Sequence, residues 1–273
     1  MKEKILFQER LEAALREIGE ETLQYDESEY WMIRQPYEYI ALYAREREFF
    51  NTAVALPLSR GLHNGSHRKS GVTREGVSYK LPYVIHCLLV CRMLVDMHLP
   101  LSPEEEDIVL ASALCHDMIE DMSFQNGGRE LYTQYHLDPR IYEVVKRVSK
   151  RRDFTEEEER AHFHGIEEDP FALLVKLSDR GNNVEDLYNM SIWKIHEYVG
   201  ETRKYFYPMC EYGKQHYPQL YISFEILQDK ILLLTHTAEI LVDSYTQMEK
   251  DLLGQIKAER EENERLRRQL GWQ

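Results

Sequence analysis

What the chain lacks narrows its identity first. No window approaches the roughly 18 consecutive apolar residues of a membrane-spanning helix. The N-terminal stretch Met1-Lys-Glu-Lys-Ile-Leu-Phe-Gln-Glu-Arg10 has no apolar core of signal-peptide length, so a cytoplasmic protein without membrane contact is expected. Positive charge is scarce: 34 Lys and Arg stand against 48 Asp and Glu, a net charge of −14. Such a balance opposes non-specific binding to nucleic acid or to an anionic lipid surface. Cysteine is limited to Cys87, Cys91, Cys115 and Cys210, all within apolar helical patterns rather than in a loop framework, which argues for reduced thiols. Cys87 and Cys91 read as small buried hydrophobes rather than metal ligands. Convincing alternation of apolar and polar residues, the mark of a half-buried strand, is also missing.

What is present is helical. With 273 residues, 43% hydrophobic and 30% charged, the chain can bury a sizeable core. Residues 3 to 24 carry Ile5, Leu11, Ala14, Leu15 and Ile18 at helical spacing, and a second helix is expected to open near Pro36 and run through Ile40, Tyr43 and Phe49-Phe50. From Leu56 to Leu81 periodicity is lost among Pro57, Gly61, Gly65, Gly71 and Gly76, which predicts a loop with a short hairpin over Val72 to Tyr79. Helical spacing returns at Pro82. Ser102-Pro103-Glu104-Glu105 and Thr155-Glu-Glu-Glu158 are capping boxes, and Asp138-Pro139 and Asp169-Pro170 pair a cap with a first-turn proline. The fold class expected is all-α, with an N-terminal helical extension over 1–55, a core over 56–217 and a long C-terminal helix over 218–273. In that last helix Leu252, Ile256, Leu266 and Leu270 follow a and d spacing, with Asn263 at an a position and Glu259 at a d position. It reads either as a short coiled coil making a homodimer or as a solvated helix, and fraying is expected from Glu259 onward.

Chemistry concentrates in Ala111 to Met122. After the apolar run Ile108-Val-Leu-Ala-Ser-Ala-Leu-Cys115 come His116, Asp117, Glu120 and Asp121, four ionisable groups in six residues. Packing them is costly unless something pairs with them, and a divalent cation would. Neighbouring side chains on a helix diverge by about 100°, so His116 and Asp117 could share one ion only near a helix end or from the helix's inner edge. A second informative stretch is the helix opened by Pro170. There Lys176, Asp179, Asn183 and Asp186 form one polar stripe, while Leu173, Leu177, Val184 and Tyr188 line another side. Alone, the stripe reads as a solvent face with ordinary charge pairs, and His86, among apolar neighbours, as a hydrogen-bonded core residue. The combination of these residues with His116-Asp117 shifts the reading toward a shared metal site.

The order His86, His116-Asp117, Asp179 resembles the HD-domain metal-dependent phosphohydrolases. Within them Leu114-Cys-His-Asp-Met-Ile-Glu-Asp121 and Val175-Lys-Leu-Ser-Asp-Arg-Gly-Asn-Asn183 are similar to the hydrolase domain of the RelA/SpoT family, which removes the 3′-pyrophosphate of (p)ppGpp. Pro82-Tyr-Val-Ile-His86, His67-Arg-Lys-Ser-Gly71 and Trp193-Lys-Ile-His-Glu-Tyr-Val-Gly-Glu-Thr-Arg203 extend the likeness over residues 63 to 215. The resemblance implies an HD-domain helical bundle, one metal held by His86, His116, Asp117 and Asp179, and water handled by Glu120 and Asp121. It further implies Arg68 and Lys69 on the nucleobase and phosphate side, Lys176 on the substrate, and Asn183 on the ribose.

Imidazole and carboxylate ligands suit Mn²⁺, Fe²⁺ or Zn²⁺, each of which makes hydroxide available near neutral pH, and the likeness favours Mn²⁺. Departures from the pattern are the 16 residues between Lys69 and His86, Met122 in place of a threonine, and Gly181-Asn182 in place of bulkier residues. A mid-helix glycine implies close approach of ligand or backbone there. A hydrolase without a synthetase domain, acting on a small nucleotide, is the leading expectation. Alternatives are an HD phosphohydrolase for dNTPs, nucleoside monophosphates or cyclic nucleotides, and a non-catalytic nucleotide sensor; intact Glu120 and Asp121 speak against the sensor.

Overall fold

The computed structural model describes residues 2–18, 24–72, 78–121, 128–151, 153–187 and 190–270, with the side chains of 2–6, 69–72, 78–80, 121 and 130–131 left aside. The described chain is all-α apart from one hairpin. Helix α1 is Lys2–Ile18, and α2 is Glu27–Arg47, opened by a capping box between Asp26 and Glu29. The helix expected to open at Pro36 therefore begins nine residues earlier in the chain, and Pro36 lies buried inside it. It also stops earlier, because Glu48 takes the left-handed conformation, φ 58°, and its N–H turns back onto Ala44 and Arg45. Helix α3, Phe50–Leu62, occupies the start of the stretch expected to be a loop. Its periodicity is missing because Val54, Ala55, Leu56 and Leu58 are all buried, which leaves no clean polar face to set a rhythm. The boundary drawn at residue 56 thus falls within α3. Ala14, Ile33 and Ile40 from upstream share one hydrophobic cluster with Leu88, Leu110 and Ile231.

The hairpin is longer than expected. Strands β1 (His67–Val72) and β2 (Ser78–Pro82) run antiparallel, with His67 opposite Pro82 and Arg68 opposite Leu81, and the register shifts between Lys69 and Val72. Residues 73–77 lie outside the described ones. β2 leads directly into α4 (Val84–Asp96), so the hairpin holds Arg68 close to the first turn of that helix.

Helix α5 (Pro103–Cys115) is the centre of the core. Every residue from Glu106 to Cys115 is buried, with α3, α4 and the later helices α8 (Pro139–Val148) and α10 (Pro170–Glu185) packed around it. Each fully buried Leu, Ile or Val there contributes about 1.5–3 kcal/mol relative to exposure. Its two buried acids are fully partnered. Glu106 accepts hydrogen bonds from Tyr43 and Arg47, and Asp107 accepts from the backbone and side chains of Asn51 and Thr52, which pins α5 to α2 and α3.

After α5 come α6 (Met118–Asp121), α7 (Arg129–Gln134), α8 (Pro139–Val148), α9 (Glu156–Glu167) and α10 (Pro170–Glu185). The expected caps at Ser102, Asp138, Thr155 and Asp169 all accept hydrogen bonds from first-turn N–H groups. Helix α11 (Ile192–Glu201) runs through a π-helical turn, Thr202–Phe206, into α12 (Tyr207–His216). Helix α13, Tyr221–Gln269, spans 49 residues and remains helical past Glu259, where fraying was expected. All four cysteines are free and buried. Among the described residues no helix is long and apolar enough to cross a membrane.

Candidate metal centre

Three elements that pack on one another bring the expected ligands together. His86 comes from the first turn of α4. His116 and Asp117 sit in the turn between α5 and α6, where the helix has ended and the two side chains are free to converge. Asp179 comes from the middle of α10. His86 Nε2 lies 3.1 Å from His116 Nε2, 3.4 Å from Asp117 Oδ2 and 3.1 Å from Asp179 Oδ1. His116 Nε2 is 3.1 Å from Asp117 Oδ2 and 3.8 Å from Asp179 Oδ1. Ligands bonded to one ion at about 2.0–2.2 Å stand roughly 3.0–3.5 Å apart at right to tetrahedral angles. Four of these five separations fit a shared cation, and the 3.8 Å between His116 and Asp179 is slightly wider.

The orientation of both imidazoles supports the fit. His116 Nδ1 donates to the carbonyl of Ala113 at 2.8 Å, and His86 Nδ1 donates to Asn182 Oδ1 at 2.6 Å. With each Nδ1 occupied, both Nε2 lone pairs face the common point, the arrangement that fixes the tautomer of metal-binding histidines. Two facing Nε2 atoms have no proton to share when both rings are neutral, so a cation between them satisfies both. Tyr83 donates its phenol to Asp117 Oδ2 at 2.9 Å and fixes that carboxylate. Cys87 lies close enough to His116 and Asp117 to form a second triplet, but burial pushes its thiol far up, and a protonated thiol is a poor ligand.

Electrostatics without an ion follow from this crowding. Burial disfavours the charge on His116, yet Asp117 and Asp179 outweigh it and hold its pKa well above the ordinary value. Burial also opposes the charge on Asp179, but Lys176 and the two histidines keep it well below the usual carboxylate range. The stripe on α10 is not a solvent face. Lys176 Nζ contacts Asp179 Oδ2 at 3.1 Å, Asn183 Nδ2 donates to Asp179 Oδ1 at 2.5 Å, and Arg68 joins Asn183 to Asp186. Lys176 is raised: burial works against its charge, and Asp179, Glu120 and Asp117 overcome it. Gly181 packs against the side chain of Met93, 3.4 Å from where a Cβ would stand, so helix packing accounts for that glycine.

His86, Asp117 and Asp179 line one wall of an opening of about 260 Å³, whose rim includes Arg68, Glu120, Lys176 and Asn183. Glu120 is exposed at this rim, where its carboxylate accepts from the Lys150 N–H. Burial of its carboxylate against the surrounding walls raises its pKa, against the pull of Lys176. The side chains of Asp121 and Lys69 lie outside the described ones. The opposite wall was not anticipated from the sequence. Buried Arg180 stacks on Phe206 at 3.8 Å and on Tyr198 at 4.2 Å and binds Glu201, which Lys150 Nζ reaches at 3.1 Å. The π turn places Phe206 for this contact, and its Thr202 hydroxyl accepts from Arg180. A groove of about 690 Å³, lined by Lys146 and Arg151 among others, adjoins the opening through Glu120 and Lys150. Tyr83, Asn182 and Glu201 lay inside the motifs and could have been read from them; Lys150, just past the end of α8, carried no local signal.

No family model matches the chain. Over 161 residues, 56% of its length, it is 28% identical to the guanosine-3′,5′-bis(diphosphate) 3′-pyrophosphohydrolase of Vibrio cholerae serotype O1. The chain spans a fifth of that protein's length, 20%. By sequence it is a distant relative of that hydrolase.

Proposed function

We propose that the chain is a metal-dependent phosphohydrolase that removes pyrophosphate from a guanosine 3′,5′-polyphosphate of the (p)ppGpp type. The observation that carries this reading is the convergence of His86, His116, Asp117 and Asp179, with both imidazoles fixed by their outer nitrogens. The likeness to a pyrophosphohydrolase supports the substrate class. A divalent ion in that site, Mn²⁺ by family resemblance with Fe²⁺ and Zn²⁺ as alternatives, supplies Lewis acidity and makes water a stronger acid near neutral pH.

The remaining work belongs to the protein's own side chains. Glu120, at the mouth of the opening with its pKa raised, is placed to accept the proton of the attacking water, and Asp121 joins it by its place in the motif. Lys176 balances charge beside the ligands and offers an ammonium to a phosphate. Arg68 and Asn183 bond to each other, so substrate would insert between them, the guanidinium stacking on the base and the amide taking the ribose. Lys69 enters on its motif position alone. Lys146, Lys150 and Arg151 give the adjoining groove cations in a chain of net charge −14, a local attraction for a polyphosphate.

The test is hydrolysis by the purified protein with Mn²⁺ of ppGpp, dNTPs, nucleoside monophosphates and cyclic nucleotides, reading phosphate and pyrophosphate separately. Pyrophosphate release from ppGpp is the expected result. Turnover confined to another nucleotide would assign it to that class of HD hydrolase instead, and saturable binding without turnover would make it a sensor.

A further inference from the structure

Helix α13 has two apolar sides, and only one is used within the chain. Phe224, Leu227, Ile231 and Val242 face the bundle and are buried. On the outer side Ile222, Ile226, Leu233 and Leu241 are exposed, Ile222 by 68% and Leu233 by 66%. The same stripe continues through Tyr245 and Met248 and then Leu252, Ile256, Leu266 and Leu270, beyond the point where α13 leaves the bundle. With Asp229, Thr237, Glu259 and Asn263 filling the gaps, the stripe recurs about every 3.7 residues, slightly more than the turn of a straight helix, so it is continuous but winds by about 120° from Ile222 to Leu270. Ten large side chains, each about half exposed, present on the order of 900 Å² per chain. An ordinary monomer's largest apolar patch is about 300–600 Å², and one side of a standard protein interface is about 800 Å².

We infer that this stripe is covered by the α13 helix of a second copy, packed antiparallel. The argument is the order of residues along the stripe. Laid antiparallel about a two-fold axis near Thr246-Gln247, Ile222 meets Leu270, Ile226 meets Leu266, Leu241 meets Leu252 and Tyr245 meets Met248. The stripe's polar members also find tolerable neighbours: Asp229 meets Asn263, and Glu259 meets Leu233. A parallel pairing would place Asp229 against Asp229 and Glu259 against Glu259, two like-charge layers in an apolar seam.

The antiparallel register also covers both exposed segments at once, because the projecting half of each helix lies on the outer face of the other's docked half. This inference is independent of the catalytic reading. The α13 seam contains none of the proposed ligands.

Sedimentation of the full chain at micromolar concentration tests the state, and dimers are expected. Register is tested by cysteine pairs, for which the background is low because all four native cysteines are buried. Under oxidation a mixture of Ile226→Cys and Leu266→Cys chains should form a mixed disulfide dimer, while Leu266→Cys alone should not cross-link. Met248→Lys places two charges in the middle of the seam and should raise the dimer dissociation constant by about tenfold or more. Glu259→Leu should tighten the dimer. These positions are exposed, so the fold survives each change, which circular dichroism checks. A monomer at 100 µM, or ready cross-linking of Leu266→Cys alone, overturns the proposal; so does a Met248→Lys chain that dimerises as tightly as the parent.

Discussion

Asn182 gives the sharpest test of the candidate centre, because it touches no proposed substrate and acts on the metal only through His86. Its Oδ1 accepts the His86 Nδ1–H at 2.6 Å, and its Nδ2 donates to Glu185 at 3.0 Å. Asn182→Ala leaves the Nδ1–H of a ring that is 2% exposed without an acceptor. Stranding a buried donor costs about 1–3 kcal/mol, so the metal-free protein should lose that much stability in urea unfolding. The ring is then free to rotate or change tautomer. Loss of such an outer partner typically weakens metal affinity about 10–100-fold, which is about 1.4–2.8 kcal/mol.

Asn182→Asp separates the two effects. A carboxylate still accepts from Nδ1 and makes the imidazole a stronger donor to a cation, so with Glu185→Gln added to remove the like charge 3.0 Å away, its Mn²⁺ affinity should equal or exceed that of the parent. Competition titration with a chromophoric chelator gives the affinities, and unfolding in EDTA gives the stability. Mn²⁺ affinity within twofold of the parent in Asn182→Ala would refute the assignment of His86 as an oriented ligand, whatever happens to stability.

Asp179→Asn and His116→Ala should each abolish stoichiometric metal in elemental analysis and nearly all turnover; retention of both by either variant would show that the site is misplaced. Glu120→Gln should keep the metal and lose about 10²–10⁴ in rate at saturating Mn²⁺, as expected for a general base. Metal affinity should rise with pH, because His116 is held well above its ordinary pKa and must give up a proton to bind; calorimetry in buffers of different ionisation enthalpy would report that proton, and none released would contradict it. Arg68→Ala should raise KM and blur preference for guanine, by about 1–3 kcal/mol of lost stacking, with metal content unchanged. His162 should make the fold acid-sensitive. Its Nε2 is buried without a partner, and burial holds its pKa down at about 4 against an ordinary 6.5. The unfolded chain therefore takes up the proton first as pH falls, and stability should decline between pH 6.5 and 4. His162→Phe should flatten that part of an unfolding series.

Sequence carried the parts of this molecule whose cause is local. Caps at Ser102, Asp138, Thr155 and Asp169 are short-range hydrogen-bond patterns and were legible. So was the choice at His116-Asp117 between a helix end and a helix's inner edge, which follows from the angle between adjacent residues, and the fold takes the helix end. Helix α3 was missed because burial on nearly all sides erases the periodicity from which helices are read. The break at Glu48 was missed because a non-glycine residue in a left-handed cap is set by tertiary packing. At the site, His86, His116, Asp117 and Asp179 carried recognisable chemistry. The Lys150, Glu201 and Arg180 wall joins residues 21 and 51 positions apart, a relation that spacing along one helix cannot express.

The lysine one turn before Asp179 has a consequence for how the protein lives with its metal. Lys176 gives that carboxylate a permanent counter-ion at 3.1 Å, so removing the cation does not leave the acidic group uncompensated in the core. On the proposed reading the fold should therefore survive removal of the cation, and loading should behave as a reversible equilibrium set by the surrounding supply of free cation, without unfolding.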